Sequence, residues 1–402
     1  VKVLHLNYLP LPVNGSSLGG MEEFVYNLDK YLTLKGHSSS VFANPDSSLY
    51  NDPFKKRLLK YPGYLVETYQ NEENWEVRES IKSLLQGYQL QKIMELRDKI
   101  DLVHNHSYAD ILINSDLLPL RMVTTLHMDI KMFNYLLRDL RRIPVEKINK
   151  NILISVSESQ KRKYEEEGYK IYRNIYNGVD LDRLFFQSEC LNYYVCFGRF
   201  IQRKGVHLAI QAALAAGKNI VLGGRVFNLE RSFFEKKVKP FFDFEFTSFK
   251  QEALKEFLVS GKNVGYYGLV DSYNKKNTLL GNARAMLFPP EWDEPFGLVI
   301  AEAMACGTPL IAYAKGAVPE IVVDGVTGFI VNSSDEEFQG DWLIKKTGVE
   351  GLCEAMEKID SMSPEKYRHM RIKCRERVGQ YFSVTRMTEK YIQLYEEAGG
   401  LT

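Results

Sequence analysis

Short apolar runs that close on glycine or a polar residue, each followed by helical spacing, recur along this chain, and that succession limits the folds open to it. Val1-Lys2-Val3-Leu4-His5-Leu6 has a buried-strand pattern. A proline-containing loop from Asn7 to Leu18 then reaches Gly19-Gly20, and Met21 to Leu28 carries apolar residues at helical spacing. Ser38 to Ala43 reads as the next strand. Strand, helix, strand predicts parallel pairing, because two parallel strands need a crossover between them. The pattern returns in the second half with Tyr194–Arg199, Asn219–Arg225, Val264–Val270 and Leu310–Tyr313. A chain of 402 residues exceeds one ordinary core, so two α/β domains are expected.

Charge excludes some partners. Lysine plus arginine number 52 against 51 acids, so no overall field draws the chain to nucleic acid. Positive charge is local, in Arg138-Asp139-Leu140-Arg141-Arg142 and Lys161-Arg162-Lys163, which read as solvated helix faces or as a docking surface for an anionic acceptor or lipid. Peripheral membrane contact therefore stays open. Cys190, Cys196, Cys306, Cys353 and Cys374 have no C-x-x-C spacing, which argues for reduced thiols and against a zinc site. No charged leader precedes the first strand, and no apolar run nears the ~20 residues of a membrane span. A cytoplasmic location is expected.

The densest chemistry lies between Pro290 and Pro309. Pro295 suits a first helical position, with Glu294 as the cap and Gly307 past the far end. On a helix, Glu294 and Glu302 would stand about 12 Å apart along the axis. The free amides of Phe296, Gly297 and Leu298 would lie between them and favour an anion. Acid, amide cluster and acid match the hydroxyls, diphosphate and ribose of a sugar nucleotide. Arg199 and Lys204, a planar fork and a point charge, are a natural pair for the diphosphate. Gly19 and Gly20 open a helix after a strand, where backbone approaches phosphate closely. His127 ends a strand, at the edge where parallel sheets gather ligands. His104, His106 and His127 have the chemistry of metal ligands, but the neighbouring sequence supplies no fourth, and no metal is expected.

With their flanks Pro-Phe-Gly-Leu and Ala-Met-Ala-Cys-Gly-Thr-Pro, Glu294 and Glu302 resemble the E-x7-E signature of retaining glycosyltransferases of the GT-B fold, the family 4 group. Gly19-Gly20-Met21-Glu22 is similar to that group's Gly-Gly-x-Glu element, and Gly198-Arg199 through Lys204-Gly205 to its G-R-x-x-x-x-K-G element. The resemblance implies an α/β fold of two Rossmann-like, doubly wound parallel-sheet domains with an interdomain cleft. Residues 1–185, with a returning C-terminal helix at 383–402, would form the acceptor side, and 186–382 the nucleotide-sugar side. It implies that Glu294 contacts sugar hydroxyls, Glu302 the ribose, Arg199 and Lys204 the diphosphate, and Gly268 and Val270 the base. Gly19, Gly20 and the amides of Phe296, Gly297 and Leu298 would complete the donor site. The catalytic set would be His127, Arg199, Lys204 and Glu294.

The implied reaction moves a hexosyl group from a nucleoside diphosphate sugar, UDP ahead of GDP, to an acceptor hydroxyl with retention, using no metal or other cofactor. The acceptor would be a small molecule, a glycan or a lipid-linked glycan. A GT-B phosphorylase or epimerase, and a non-catalytic sugar-nucleotide-binding subunit, are the alternatives.

Overall fold

Both halves of the chain turn the strand-helix-strand pattern into a seven-stranded parallel sheet. The computed structural model describes residues 1–7, 11–15, 19–106, 110–113, 115, 118–139, 145–337 and 339–399. The chain divides into two units, Val1–Gly178 with Val384–Thr402, and Val179–Ser383. The loop residues 8–10 and 16–18, and 140–142 of the first basic run, lie outside the described residues.

The first unit contains β1 (Lys2–Leu6), β2 (Ser38–Ala43), β3 (Leu58–Lys60), β4 (Leu102–Asn105), β5 (Arg121–Thr125), β6 (Ile152–Ser155) and β7 (Ile171–Asn174). Their order across the sheet is β3-β2-β1-β4-β5-β6-β7. Strand order reverses at β1, so a crevice opens at the carboxyl ends of β1 and β4. The stretch 45–99, to which sequence gave no role, adds β3 and two helices, Gly63–Asn71 and Trp75–Leu96. Tyr61 and Tyr69 are buried with Val66, Ile81 and Leu85, while Tyr64 is exposed. The core thus accounts for Tyr61 and Tyr69.

The helix Val384–Gly399 belongs to the first unit although it is last in sequence. Val384, Met387, Tyr391, Leu394, Tyr395 and Ala398 recur at three- and four-residue spacing and pack against Phe24, Leu28, Leu102 and Val123. Arg121 donates to the Ala398 carbonyl at 2.7 Å, and Arg173 pairs with Glu397 at 2.5 Å.

The second unit contains β8 (Tyr194–Arg199), β9 (Ile220–Arg225), β10 (Phe244–Glu245), β11 (Val264–Gly268), β12 (Ala285–Phe288), β13 (Leu310–Tyr313) and β14 (Gly328–Val331), in the order β10-β11-β9-β8-β12-β13-β14. The aromatic segment 230–262 supplies edge strand β10 and the helices Arg231–Lys237 and Gln251–Val259. The unit begins at Val179, earlier than the expected residue 186. Val179 donates to the Phe382 carbonyl at 2.9 Å, and Arg375 holds the Leu181 and Leu184 carbonyls at 3.0 and 2.7 Å. Those bonds tie 179–184 to the helix Pro364–Tyr381. Arg371 of that helix is fully buried, and its guanidinium donates to the carbonyls of Gln187, Gly281 and Ala283. A planar fork with several donors suits three carbonyls that no helix or strand satisfies.

All five cysteines are unpaired, and among the described residues no helix is long and apolar enough to cross a membrane.

Candidate functional site

In the second sheet the order reverses at β8, with β9 on one side and β12 on the other. Loops leaving β8 and β12 therefore frame a crevice at their carboxyl ends. Arg199 ends β8, and the loop after it makes a short 3-10 turn at Gln202–Lys204 and stops at Gly205, which has φ +72° and precedes the helix Val206–Ala215. A Cβ on Gly205 would collide with the Pro289 carbonyl oxygen of the loop after β12. The same two loops are joined by Glu291 N–H, which donates to the Arg203 carbonyl at 2.9 Å. Gly205→Ala is expected to cost at least about 2 kcal/mol, from positive φ and the displaced loop together. Urea unfolding of the variant checks this, and an unchanged midpoint would refute it.

Lys204 Nζ forms an ion pair with the Glu294 carboxylate. Trp292 Nε1 donates to the same carboxylate at 3.1 Å, and the Arg203 guanidinium lies 4.3 Å from the Trp292 ring. Glu294 is buried, and its backbone carbonyl accepts from Ala317 N–H at 2.9 Å. Gly316 N–H donates to Asp293 at 3.2 Å, and its lack of a side chain lets the loop after β13 lie against the Glu294 backbone. Arg199 pairs with Glu230, and its guanidinium lies 4.6 Å from the Phe227 ring, which Arg225 also approaches at 4.3 Å. Glu302, also buried, pairs with Lys276 of the helix Tyr273–Gly281. A buried carboxylate without a counter-charge is costly, and each acid here has a lysine.

The helix itself departs from expectation. It runs Leu298–Ala305 with Gly297 as its N-cap at φ +86°, so Pro295 is not its first residue and Glu294 lies in the preceding loop. Gly297 turns the chain through a conformation that only glycine adopts readily, and this moves the helix start three residues on. The axial separation deduced for two acids on one helix therefore does not apply. Ile300 N–H is bonded to the Gly297 carbonyl at 2.9 Å. Phe296 turns its ring into the interior, 5.7 Å from Phe382. Gly268 ends β11 in register with Gly223 of β9, and Val270 beyond it is buried. Arg199, Lys204, Glu294, Gly297, Leu298 and Glu302 thus belong to loops and one helix around β8 and β12, with Gly268 and Val270 on the far side of β9.

Gly19, Gly20 and His127 belong to the first unit. Gly19 caps the helix Gly20–Leu34 in an extended conformation, and the Glu22 carboxylate occupies the space a Cβ would need. Small size is what the position requires. Phe24 of this helix meets His127 edge-on at 4.9 Å. His127 Nε2 lies 3.2 Å from His106 Nδ1, whose Nε2 lies 3.1 Å from His5 Nδ1. His104 lies against His106 but bonds elsewhere, with Nδ1 2.5 Å from the Tyr395 hydroxyl and Nε2 2.7 Å from the Thr125 hydroxyl. The ring nitrogens of His5, His104 and His106 lie within 4.8 Å of one another. Neutral imidazoles are ordinary ligands for a divalent cation, and in this structure these nitrogens face one another and the Tyr395 and Thr125 hydroxyls.

Sequence reasoning missed three residues at these sites. Lys276 is an ordinary helix lysine until the fold sets it against Glu302. His5 reads as a strand histidine, and only the pairing of β1 with β4, which registers it with His104, shows its company. Trp292 had a signal, since it lies two residues before Glu294 in the central motif.

Comparison with known proteins follows the same division. The family described as Glycosyl transferases group 1 matches residues 187–345, and that described as Glycosyltransferase Family 4 matches residues 18–183. An uncharacterized 41.2 kDa protein of Klebsiella pneumoniae is 30% identical over 138 residues, 34% of either chain. A D-inositol 3-phosphate glycosyltransferase of a Mycobacterium species is 53% identical over 53 residues, 13% of this chain and 11% of that protein. The chain thus spans about a third and about a tenth of these relatives' lengths. Among solved structures, a sucrose-phosphate synthase from Thermosynechococcus elongatus superimposes with a TM-score of 0.72 at 19% identity, covering 100% of both chains. Anabaena HepE, in complex with UDP and glucose, gives 0.69 at 17% identity, over 98% of this chain and 99% of that one. These two likenesses bear on fold.

Proposed function

The chain belongs to the glycosyl transferases of group 1, on the GT-B fold, and from that premise we propose that it moves a hexosyl group from a nucleoside diphosphate sugar to an acceptor hydroxyl. The observation that carries this reading is the gathering of two cations and two acids, Arg199, Lys204, Glu294 and Glu302, around β8 and β12 of one sheet, in the crevice where such sheets hold ligands. Each cation rests on a carboxylate. A diphosphate entering the site would take over Arg199 from Glu230 and Lys204 from Glu294, leaving Glu294 with its Trp292 hydrogen bond to receive sugar hydroxyls. Glu302 is assigned the ribose, and the backbone near Gly268 and Val270 the base.

The proposed step breaks the bond from the anomeric carbon to the diphosphate and forms one to the acceptor oxygen on the same face. The departing phosphate oxygen keeps the electron pair of the broken bond and takes the acceptor proton, and the negative charge that develops on the diphosphate faces Arg199 and Lys204. Those fixed cations do the work that a metal does elsewhere, so the reaction is assigned retention and metal independence. His127, Gly19 and Gly20 complete the assignment from the first unit. UDP is the favoured base, the acceptor a small molecule, glycan or lipid-linked glycan, and the location cytoplasmic. Anabaena HepE, the relative solved with UDP and glucose, supports the choice of UDP.

Thermal unfolding with UDP, GDP, ADP and TDP sugars tests the donor class. A ligand at about a hundredfold over its Kd stabilises the native state by about 2.7 kcal/mol, a shift of several degrees. One nucleotide class should raise the midpoint; no shift with any of the four would overturn the reading.

A further inference from the structure

His5, His106 and His127 form a row of imidazoles across the carboxyl ends of β1, β4 and β5, joined by the contacts of 3.1 and 3.2 Å given above. Burial holds all three rings below the usual histidine value, His5 and His127 at about 3 and His106 well below it, so each is neutral near neutrality. A neutral imidazole has one N–H and one lone pair. His106 must therefore donate through one nitrogen and accept through the other, and both bonds of the row point the same way. Either protons point from His5 toward His127, or all are reversed.

One observation chooses between these directions. His5 Nε2 is buried and has no hydrogen-bond partner among the described residues. The reversed direction would put the proton on that nitrogen, as a buried N–H with no acceptor. The forward direction leaves only a lone pair there, and unpaired buried N–H groups are the rarer of the two in folded proteins.

We propose that His106, backed by His5, holds His127 in the Nδ1–H tautomer, with His127 Nε2 accepting from His106. His127 is then a hydrogen-bond donor at Nδ1, and with Nε2 occupied it has no lone pair with which to take a proton from a hydroxyl. Where it concerns catalysis, this rests on the reading of His127 as a sugar contact: it donates to a sugar oxygen, and the acceptor proton leaves by another route. His106 and His5 are positioning residues.

Nitrogen NMR of the histidine rings in the full chain, at neutral pH and without ligand, reads tautomers directly. Protonated Nδ1 and lone-pair Nε2 resonances at His127, His106 and His5 are expected. An Nε2–H tautomer, an even mixture or a cation at His127 would overturn the proposal. In His106→Phe the bias at His127 should disappear, and its persistence would count against His106 as the cause. Should that variant fail to fold, the wild-type spectrum still decides. With a donor identified, His106→Phe should lower kcat about tenfold while leaving KM for the donor nearly unchanged. Absence of wild-type turnover with every donor would remove the transferase reading and leave the tautomer result standing.

Discussion

Acidification below pH 6.5 should destabilise the first unit steeply, with the loss starting before its carboxylates titrate. His5 and His127 are held at about 3 by burial, and His104 and His106 are pushed well below 6.5 by burial first and by neighbouring histidines second. Above 6.5 these rings are neutral in both folded and unfolded chains and contribute nothing to pH dependence. As pH falls below 6.5, the unfolded chain takes up protons that the folded one refuses, so stability drops. For His5 and His127 the loss levels off near pH 3, where the folded rings protonate too. Each such ring costs about 1.4 kcal/mol per pH unit, so four together cost about 5.5 kcal/mol per unit. Two units of acidification therefore remove about 11 kcal/mol, a loss comparable with a total stability of about 5 to 15 kcal/mol.

Asp29 works the other way. Burial lifts its carboxyl above the ordinary 3.8 despite the Arg57 guanidinium at 2.6 Å, so the folded state gains a proton first there. One carboxyl cannot offset four imidazoles, each of which loses as much per pH unit as it can gain. Urea midpoints measured from about pH 7.5 to 4.5 give the slope, and hence the number of protons taken up on unfolding. A flat midpoint down to about pH 5 would mean that the rings are not buried as described.

Much of this fold was legible because local chemistry and tertiary role coincide. Runs such as Tyr194–Arg199 and Ile220–Arg225 are apolar on both faces and end in glycine or arginine, as parallel strands covered by helices must. The helix Val384–Gly399 announces its buried stripe by spacing alone. The start of the helix after Glu294 was not legible. Proline with its fixed φ suits a first helical turn and a loop equally, and only the left-handed Gly297 decides where the helix begins. Strand order is also absent from local pattern: β1 lies beside β4, not between its sequence neighbours alone, and so His5 meets His104 and His106 across about a hundred residues. The same distance hides the partner of Glu302. Lys276 resembles any helix lysine, and nothing short of the packed helices identifies it as a counter-charge.

Lys204→Ala should lower kcat/KM by a factor of about 100 to 1000, the loss of about 3 to 4 kcal/mol seen when one charge-stabilising donor is removed from an active site. The pairing with Glu294 complicates this, because the substitution also leaves a buried carboxylate with only the Trp292 N–H and its local backbone for support. Folding stability should therefore fall too, by about 1 to 3 kcal/mol, since Lys204 is itself partly exposed and water can approach the gap. The two losses separate in the double variant Lys204→Ala with Glu294→Gln. Removing the negative charge relieves the unpaired carboxylate, so much of the stability should return. Activity should not, because neither the cation for the leaving diphosphate nor the acid for the sugar hydroxyls is restored. Recovery of turnover in parallel with the urea midpoint would mean that Lys204 serves the fold alone, and the diphosphate would then need another cation.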